Sequence, residues 1–292
     1  MDDFRKLDLT ELDKDLSEEQ RKEWNAIYAS YRSASILTGR VVGVDTTVLT
    51  LNNPKTGEPE QKEINCLVVI GYRVKVLIPE QEIWYSEDTR RPSHVLRSMT
   101  GAVIDYVITG IDREGECCTA SRRMALAIRR RSFLRLTPEE GRKTTVNILA
   151  VGRTHLLASA GGFDVTLSQR DLSYGMIADL RDRFHSGDSY TAIIKGYDGE
   201  TERLQVSVKE AEPHPFDGAE TRHPVRSRRA SVIVGKYKGG VFCKLEDNLD
   251  CLCIYSPNQY DEDFQIGDQV IVAITKYNYT RKQIYGKIIA KW

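Results

Sequence analysis

Short runs of alternating apolar and polar residues fill most of the chain, and one arrangement of these runs occurs three times. Each copy has a glycine followed 11 residues later by an Asp or Asn: Gly101 and Asp112, Gly187 and Asp198, Gly267 and Asn278. Apolar and β-branched residues predominate between the two positions, as in strands. A second apolar run follows the Asx and closes at Ser121, Ser207 and Lys287. Each copy therefore predicts two strands joined by a polar turn.

Three further strand-like runs precede each of these hairpins. We predict them at residues 36–44, 66–70 and 72–78 in the first copy, 144–151, 155–159 and 163–167 in the second, and 231–237, 239–245 and 250–254 in the third. Each repeat then has five strands, a number typical of small barrels. The first copy also carries a polar insert, residues 52–63, which is either a loop or an extra hairpin.

Helical periodicity is confined to a few places. Ser17 with Gln20 three residues later forms a capping box for a helix whose aromatic residues we expect to pack on the first barrel. A second helix is predicted over residues 122–134. Apolar residues at helical spacing predict a third between strands of the second copy, with Leu172, Met176, Leu180 and Phe184 on one face. Residues 212–224 are punctuated by proline and indicate a linker.

Composition narrows the class of protein. The 292 residues, 40% of them hydrophobic, are enough for two to three globular domains. No apolar run is long enough to span a bilayer and the first residues are acidic, so we expect a cytoplasmic protein that does not contact membranes. Six cysteines without the spacing of a disulfide framework indicate reduced thiols.

Charge is balanced overall, with 42 basic and 42 acidic residues. A zero net charge argues mildly against a nucleic-acid partner. The distribution argues otherwise, because acidic residues concentrate before residue 20 whereas residues 122–143 and 222–238 are basic. The acidic leader masks positive charge elsewhere in the chain.

Several motifs resemble one known family. The third repeat contains Gly240-Val241-Phe242 and Gly267-Asp268-Gln269-Val270, and the second contains Gly187-Asp188, Asp198 and residues 203–207. The first contains Leu77-Ile78-Pro79 and Ser121-Arg122-Arg123. Residues 35–292 thereby resemble the ribosomal protein S-one (small-subunit) type of RNA-binding domain family. The resemblance implies a mainly β chain of three tandem five-stranded antiparallel OB-fold barrels, with an N-terminal helix and short connecting helices.

The same resemblance sets the domain limits that we expect. Residues 1–34 form an acidic arm and the N-terminal helix. The three OB-fold RNA-binding domains are residues 35–136 (with the insert and a trailing basic helix), 137–212 and 226–292, and residues 213–225 are a linker between the last two.

Binding of single-stranded nucleic acid needs rings on which bases stack and cations beside them for phosphates. The candidate RNA-binding residues are Tyr72, Arg73, Lys75, Arg122, Arg123, Phe163, Arg203, Tyr237, Lys238, Phe242, Lys244, Tyr279 and Arg281. The third repeat has the densest interleaving, since Lys276, Tyr277, Lys282 and Tyr285 lie in the same region. For each ring taken alone, a place in a barrel core is the alternative.

The arginine run at residues 129–131 admits two interpretations. It lines a phosphate-contacting face between the first two barrels, or it is a solvated helix surface that docks on an acidic partner such as the N-terminal arm.

No catalytic motif is present, so we expect a non-enzymatic protein without cofactors or metal. Cys243, Cys251 and Cys253 could hold zinc, but they lack the usual spacing, and buried thiols are the favoured interpretation. The expected partner is single-stranded RNA, with single-stranded DNA as the alternative nucleic acid. The ribosome or another RNA-processing complex is a further candidate partner, and we favour a monomer. Two rival functions remain: a protein-protein adaptor that docks on ribosome, polymerase or nuclease with little RNA contact, and an accessory subunit of a nuclease or translocase.

Overall fold

The computed structural model describes residues 16–52, 59–71, 73–86, 90–175, 177, 179–246 and 249–291. It is mainly β, and its strands form three five-stranded sheets. The first sheet consists of β1 (Leu37–Asn52), β2 (Pro59–Ile70), β3 (Lys75–Pro79), β4 (Val103–Asp112) and β5 (Cys117–Ser121). The second consists of β6 (Lys143–Val151), β7 (His155–Ala160), β8 (Phe163–Ser168), β9 (Ser189–Asp198) and β10 (Arg203–Ser207). The third consists of β11 (Arg228–Tyr237), β12 (Gly240–Leu245), β13 (Asp250–Ile254), β14 (Gln269–Asn278) and β15 (Gln283–Lys291).

The first and third sheets close into barrels, with the strand orders β1-β2-β3-β5-β4 and β11-β12-β13-β15-β14. We call them barrel one and barrel three. The second sheet, sheet two, has the order β10-β9-β6-β7-β8, and no pairing joins β8 to β10 among the described residues. The prediction of three closed barrels is therefore correct for two of the repeats.

The predicted all-antiparallel pairing is wrong at one seam of each closed barrel. In barrel one β3 runs parallel to β5, and in barrel three β13 runs parallel to β15. In both barrels a whole strand separates the parallel partners along the chain. Such a crossover allows parallel pairing, whereas a tight hairpin enforces antiparallel pairing.

The helices are α1 (Glu18–Ser33), α2 (Ser93–Ser98), α3 (Arg122–Arg135), α4 (Gln169–Leu172) and α5 (Ala219–Arg222). The predicted capping box is confirmed, because the Gln20 amide donates to Ser17 Oγ at 3.3 Å and the Ser17 amide donates to Gln20 Oε1 at 2.9 Å. Trp24, Ile27 and Tyr28 of α1 are buried in the core of barrel one, as expected. The helix predicted over residues 122–134 is confirmed as α3.

The helix predicted from Leu172 through Phe184 does not form. Helix α4 ends at Leu172 and Ser173 is extended, with φ −147° and ψ 148°; a single turn at Leu180–Asp182 follows. Leu172, Leu180 and Phe184 are all buried, but from separate short segments. Their spacing therefore reflects three independent apolar contacts, and Met176 lies outside the described residues.

The described ends of the polar insert of the first repeat, residue 52 and residues 59–63, extend the pairing of β1 with β2. Strands β1 and β2 stay in register out to the pair Asn52 and Pro59. Residues 53–58 of the insert lie outside the described residues, so the choice between a loop and an extra hairpin stays open there.

By its internal contacts the chain divides into two compact units. The first comprises residues up to Thr166 together with Leu180–Gln205, and the second comprises Leu167–Asp179 together with Val206–Trp292. The limits of the three repeat domains stay a prediction. None of the described helices combines the length and apolar character that crossing a bilayer requires.

Candidate nucleic-acid interface

Alternate side chains of strand β12 point into the core of barrel three and out of the barrel. Val241, Cys243 and Leu245 are buried in the core, while Phe242 and Lys244 are only half-buried. This is the period-2 alternation of a strand with one face on a core. Phe242 therefore lies on the outer face of the barrel, where its ring is accessible in part.

Three neighbouring strands place further side chains beside Phe242. Phe242 pairs with Leu252 on β13, Leu252 pairs with Tyr285 on β15, and Tyr285 pairs with Lys276 on β14. We call Phe242, Leu252, Tyr285 and Lys276 the outer row. Lys276 Nζ lies 4.9 Å from the centroid of the Tyr285 ring, which is a cation–π distance. The row thus joins two rings, one apolar side chain and one cation across four strands.

Tyr237 extends the outer row at the end of β11. Its ring centroid is 5.2 Å from that of Phe242, and its hydroxyl donates to the Cys253 carbonyl at 3.3 Å. Gly240 makes this packing feasible, because a Cβ there would come within 2.2 Å of the Cys253 carbonyl oxygen and 2.5 Å of the Tyr237 hydroxyl. Burial raises the pKa of Tyr237, so its hydroxyl stays a donor.

The other predicted residues of barrel three lie around the outer row. Lys238 and Arg281 are exposed at turns, and Lys244 is half-buried beside Phe242 on β12. Tyr279 is 63% exposed, and its hydroxyl donates to the Glu220 carboxylate, which raises the pKa of Tyr279. Its ring lies 5.8 Å from that of Phe216, centroid to centroid. Barrel three therefore brings rings and cations together on its exterior.

The same positions of barrel one carry no rings. The repeat relates Tyr285 to Thr119, and Thr119 pairs with Leu77 and with Gly110, while Leu77 pairs with Val68. Val68 and Leu77 form a small buried cluster with Cys66, although they point away from the core of the barrel. Burial raises the pKa of the Cys66 thiol to about 11. At these four positions barrel one offers no ring for base stacking.

The predicted cations of barrel one have acidic partners. Arg73 Nε lies 2.8 Å from Glu116, Lys75 Nζ lies 2.6 Å from Asp45, and Arg123 Nη2 lies 2.5 Å from Glu82. The Lys75 hydrogen bond and charge lower the pKa of Asp45, so this pair stays ionised. Tyr72, the ring predicted beside them, lies outside the described residues.

Arg122, which we predicted to contact RNA, is not a surface residue. The side chain is buried, where Nη1 and Nη2 donate to the two Asp164 oxygens at 2.9 and 2.6 Å and Nη1 also donates to the Ile83 carbonyl at 2.9 Å. Ser121 caps α3, since the Met124 amide donates to Ser121 Oγ at 3.0 Å. Arg122 consequently opens the helix and points inward.

Phe163 is also buried, so it offers no ring face to a ligand. Only 2% of it is exposed, and it packs edge-on against Phe133 and Tyr197. The alternation of Phe163, Val165 and Leu167 along β8 could have revealed this inward direction. Arg203 is exposed, but the repeat places Gly196 and Gln205 where barrel three has Lys276 and Tyr285. Sheet two therefore lacks this part of the outer row.

The three arginines of the run on α3 have different surroundings. Arg129 Nε lies 2.7 Å from Asp105, and exposed Arg131 is on the solvent side. Arg130 is buried; it lies 3.5 Å from the Tyr85 centroid and donates from Nε to the Gly162 carbonyl at 2.9 Å. At least Arg130 is a packing residue, which neither interpretation of the run anticipated.

The cysteines of barrel three behave as core thiols. Cys243, Cys251 and Cys253 are buried, and the sulfurs of Cys251 and Cys253 are 3.5 Å apart. Hydrogen bonding with Cys243 and with Cys251, to which the Cys253 thiol donates, and then burial raise the pKa of Cys253, which disfavours the thiolate that zinc requires. Within the described ranges, no group of three or more His, Cys, Asp or Glu side chains is arranged to hold a metal ion.

Comparisons with known proteins give partial matches. No protein-family model matches the chain. The 4-hydroxy-3-methylbut-2-enyl diphosphate reductase of Clostridium tetani is 25% identical over 129 residues, which is 42% of this chain and 20% of the reductase. Small ribosomal subunit protein bS1 of Coxiella burnetii is 22% identical over 191 residues, 62% of this chain and 35% of bS1. The chain thus spans a minor part of the length of these relatives.

Among solved structures, a multidomain protein with nucleic acid binding domains from Streptococcus pneumoniae aligns over 88% of this chain and 74% of that chain. The identity is 10% and the TM-score is 0.21, which is too low to carry an argument. The sheets themselves define the class: a mainly β protein of three five-stranded sheets, two of which close into OB-like barrels. Within this class the chain is similar to the ribosomal S-one type of RNA-binding domain family, by its repeated motifs and by its match to bS1.

Proposed function

We propose that the chain is a non-enzymatic protein that binds single-stranded RNA on the exterior of barrel three. The observation that carries the proposal is the outer row, in which cross-strand register aligns Phe242, Leu252 and Tyr285 with Lys276. Every base has a face that can stack on a ring, and a cation beside the ring meets the phosphate. Tyr237 adds a ring at the end of β11, and Arg281 adds a cation in the turn after β14.

The resemblance to bS1 supports a setting for this activity. We extend the proposal to translation or mRNA handling in the cytoplasm, with the ribosome or another RNA-processing complex as partner. The chain covers 35% of bS1, so only a part of that protein's properties can be carried by these repeats.

Barrel one favours a second, complementary role. Its equivalent of the outer row is Val68, Leu77, Thr119 and Gly110, and the cations of its predicted site are paired with acids. Surface cations that are already paired with carboxylates suit contact with protein better than contact with a polyanion. The adaptor function is therefore assigned to barrel one, while RNA is assigned to barrel three.

Fluorescence anisotropy of the full chain with labelled poly-pyrimidine RNA across a salt series tests the proposal. We expect the logarithm of the affinity to fall linearly with the logarithm of the salt concentration. Phe242→Ala and Tyr285→Ala should each weaken binding about 5- to 150-fold, which corresponds to the loss of about 1–3 kcal/mol of stacking.

Thr119→Ala is the matched control, because Thr119 holds the position of Tyr285 in barrel one. It should bind RNA as the unaltered chain does. The same titrations with single-stranded DNA of equal length show whether the chain prefers RNA or binds both kinds of nucleic acid. Absence of salt-sensitive binding to any single strand would contradict the proposal and favour the adaptor function throughout.

A further inference from the structure

The second compact unit contains a groove that continues the outer row beyond the barrel. Its volume is about 250 Å³, and Phe242 and Leu252 of the outer row line it. Tyr174 and His214 line it as well, although neither belongs to a strand of barrel three. Arg281 and Lys282, from the turn between β14 and β15, line it too, as do Leu249 and the acidic residue Asp250. The groove thus combines three rings, two leucines, two cations and one carboxylate.

Tyr174 and His214 place two rings against each other in a tilted arrangement. Their centroids are 4.0 Å apart with a tilt of 45°, and Lys209 Nζ lies 5.2 Å from the centroid of Tyr174. The backbone beside Tyr174 is held by Gln169, whose side-chain amide donates to the Gly175 carbonyl at 2.8 Å. The pair is therefore fixed at the groove by its surroundings.

The hydrogen bonding of His214 defines its neutral form. The Phe216 amide donates to His214 Nδ1 at 3.1 Å, so Nδ1 is an acceptor and the ring proton resides on Nε2. Burial and then the charge of Lys282 lower the pKa of His214. At neutral pH the groove consequently holds an uncharged imidazole, which presents a ring face and one N–H donor.

Two cations adjoin these rings. Arg281 is exposed, and its amide donates to Asn278 Oδ1 at 3.0 Å, which fixes the turn that carries it. Lys282 Nζ lies 3.4 Å from Asp217 and is exposed as well. A ligand with a planar apolar group and a neighbouring negative charge matches this arrangement.

We propose that the groove receives one nucleobase of the RNA strand bound on the outer row, with Tyr174 and His214 as stacking partners and Arg281 as a phosphate contact. This inference rests on the proposed function. The volume is smaller than the roughly 300–1,000 Å³ of pockets for drug-sized ligands, as suits a single base. Since Phe242 and Leu252 belong both to the row and to the groove, a strand can pass from one to the other without leaving the protein surface.

The test uses the full chain, labelled oligouridine and fluorescence anisotropy, with four variants beside Phe242→Ala. Tyr174→Ala and His214→Ala should each weaken binding roughly 5- to 150-fold, by the loss of one stacked base. Tyr174→Phe keeps the ring and should retain the affinity. Tyr260→Ala, which removes an exposed tyrosine of the same unit that does not line the groove, should leave affinity unchanged. Thermal unfolding establishes that each variant is folded at the assay temperature.

The outcomes separate the two proposals. If Phe242→Ala weakens binding while Tyr174→Ala and His214→Ala match the unaltered chain, the groove proposal is overturned and the outer row stands. If Tyr174→Phe is as weak as Tyr174→Ala, stacking in the groove is overturned as well. If none of the variants, Phe242→Ala included, differs from the unaltered chain, the proposed function itself fails.

Discussion

Arg122 brings a full positive charge into the interior of the first compact unit. Its guanidinium donates to both oxygens of Asp164, and the side chains of the two residues are 2% and 5% exposed. The planar fork of arginine matches a carboxylate in this bidentate way, which lysine cannot reproduce. Because both charges are desolvated, each depends on the other.

Arg122→Ala should therefore lower the free energy of unfolding by about 3–5 kcal/mol, the usual cost of leaving one partner of a buried pair uncompensated. Arg122→Lys should also destabilise, because it loses the fork. Urea denaturation followed by circular dichroism measures both. Arg123→Ala is the control, since half-exposed Arg123 makes a surface pair with Glu82 that contributes at most about 1 kcal/mol. Equal urea midpoints for Arg122→Ala and Arg123→Ala would contradict the buried role.

The direction of individual side chains explains which site residues the sequence could predict. Phe242 lies between buried Val241 and Cys243, and this alternation is visible in the sequence and correctly favours an outward ring. Phe163 alternates in phase with Val165 and Leu167, and the same rule would have placed it inside. Arg122 could not be placed this way, because its acidic partner is 42 residues away along the chain. Leu252, Tyr174 and His214 were missed because only the folded chain brings them to Phe242.

The repeated Asx residues hold the hairpins between the last two strands of each repeat. Asp112 Oδ1 accepts from the Gly115 amide at 3.0 Å, Asp198 Oδ1 accepts from the Glu200 amide at 2.9 Å, and Asn278 Oδ1 accepts from the Arg281 amide at 3.0 Å. A side-chain oxygen that accepts from the following backbone is the usual reason for Asp or Asn in turns. The constant spacing from glycine to Asx therefore reflects strands of equal length in the three repeats, each followed by a turn that the Asx side chain holds.

Asp198 makes the stability of its turn depend on pH. The Thr201 hydroxyl, 2.5 Å from Oδ2, and then the Glu200 and Thr201 amides lower the pKa of Asp198 below 3.8. The unfolded chain then takes up this proton at a higher pH than the folded chain does. The stabilisation is accordingly complete above about pH 3.8 and is lost as the pH falls through the lowered folded value.

Asp198→Asn should remove this contribution, so its melting temperature should fall less than that of the unaltered chain between about pH 6 and about pH 3. Asn278 holds the same position in barrel three and accepts from the amide three residues on, as Asp198 does from the Thr201 amide, so the variant should keep the turn. Scanning calorimetry at the two pH values gives the comparison, with exposed Asp182→Asn as the charge-matched control. If the melting temperature of Asp198→Asn falls as much as that of the unaltered chain, the turn carboxylate does not contribute to the pH dependence of stability.

Patterns of residues close in sequence predicted most elements, whereas the pairing of segments distant in sequence was not predicted. The capping box at Ser17, helix α3 and the hairpins all follow from residues close in sequence. The parallel pairs β3 with β5 and β13 with β15 join distant segments, so no local pattern specifies them. The failed helix after Leu172 shows the converse error, because helical spacing alone cannot distinguish one helix from several buried contacts.

Repetition of one strand pattern has produced barrels with different exteriors. Both closed barrels share strand order and the parallel seam, since the core positions carry the fold. Their outer positions differ: Phe242, Leu252, Tyr285 and Lys276 in barrel three correspond to Val68, Leu77, Thr119 and Gly110 in barrel one. The sequence showed three similar repeats and predicted a site in each, because the comparison of exteriors needs the register across four strands. At these four outer positions the structure places rings in barrel three and none in barrel one.

Photo-cross-linking tests this concentration of rings most directly. Single-stranded RNA containing 4-thiouridine would be irradiated with the full chain, and cross-linked peptides would be located by mass spectrometry, with excess unlabelled RNA as competitor. We expect competable cross-links on peptides that contain Phe242, Tyr285 or Tyr237. Cross-links confined to barrel one and sheet two, with none on barrel three, would contradict the account.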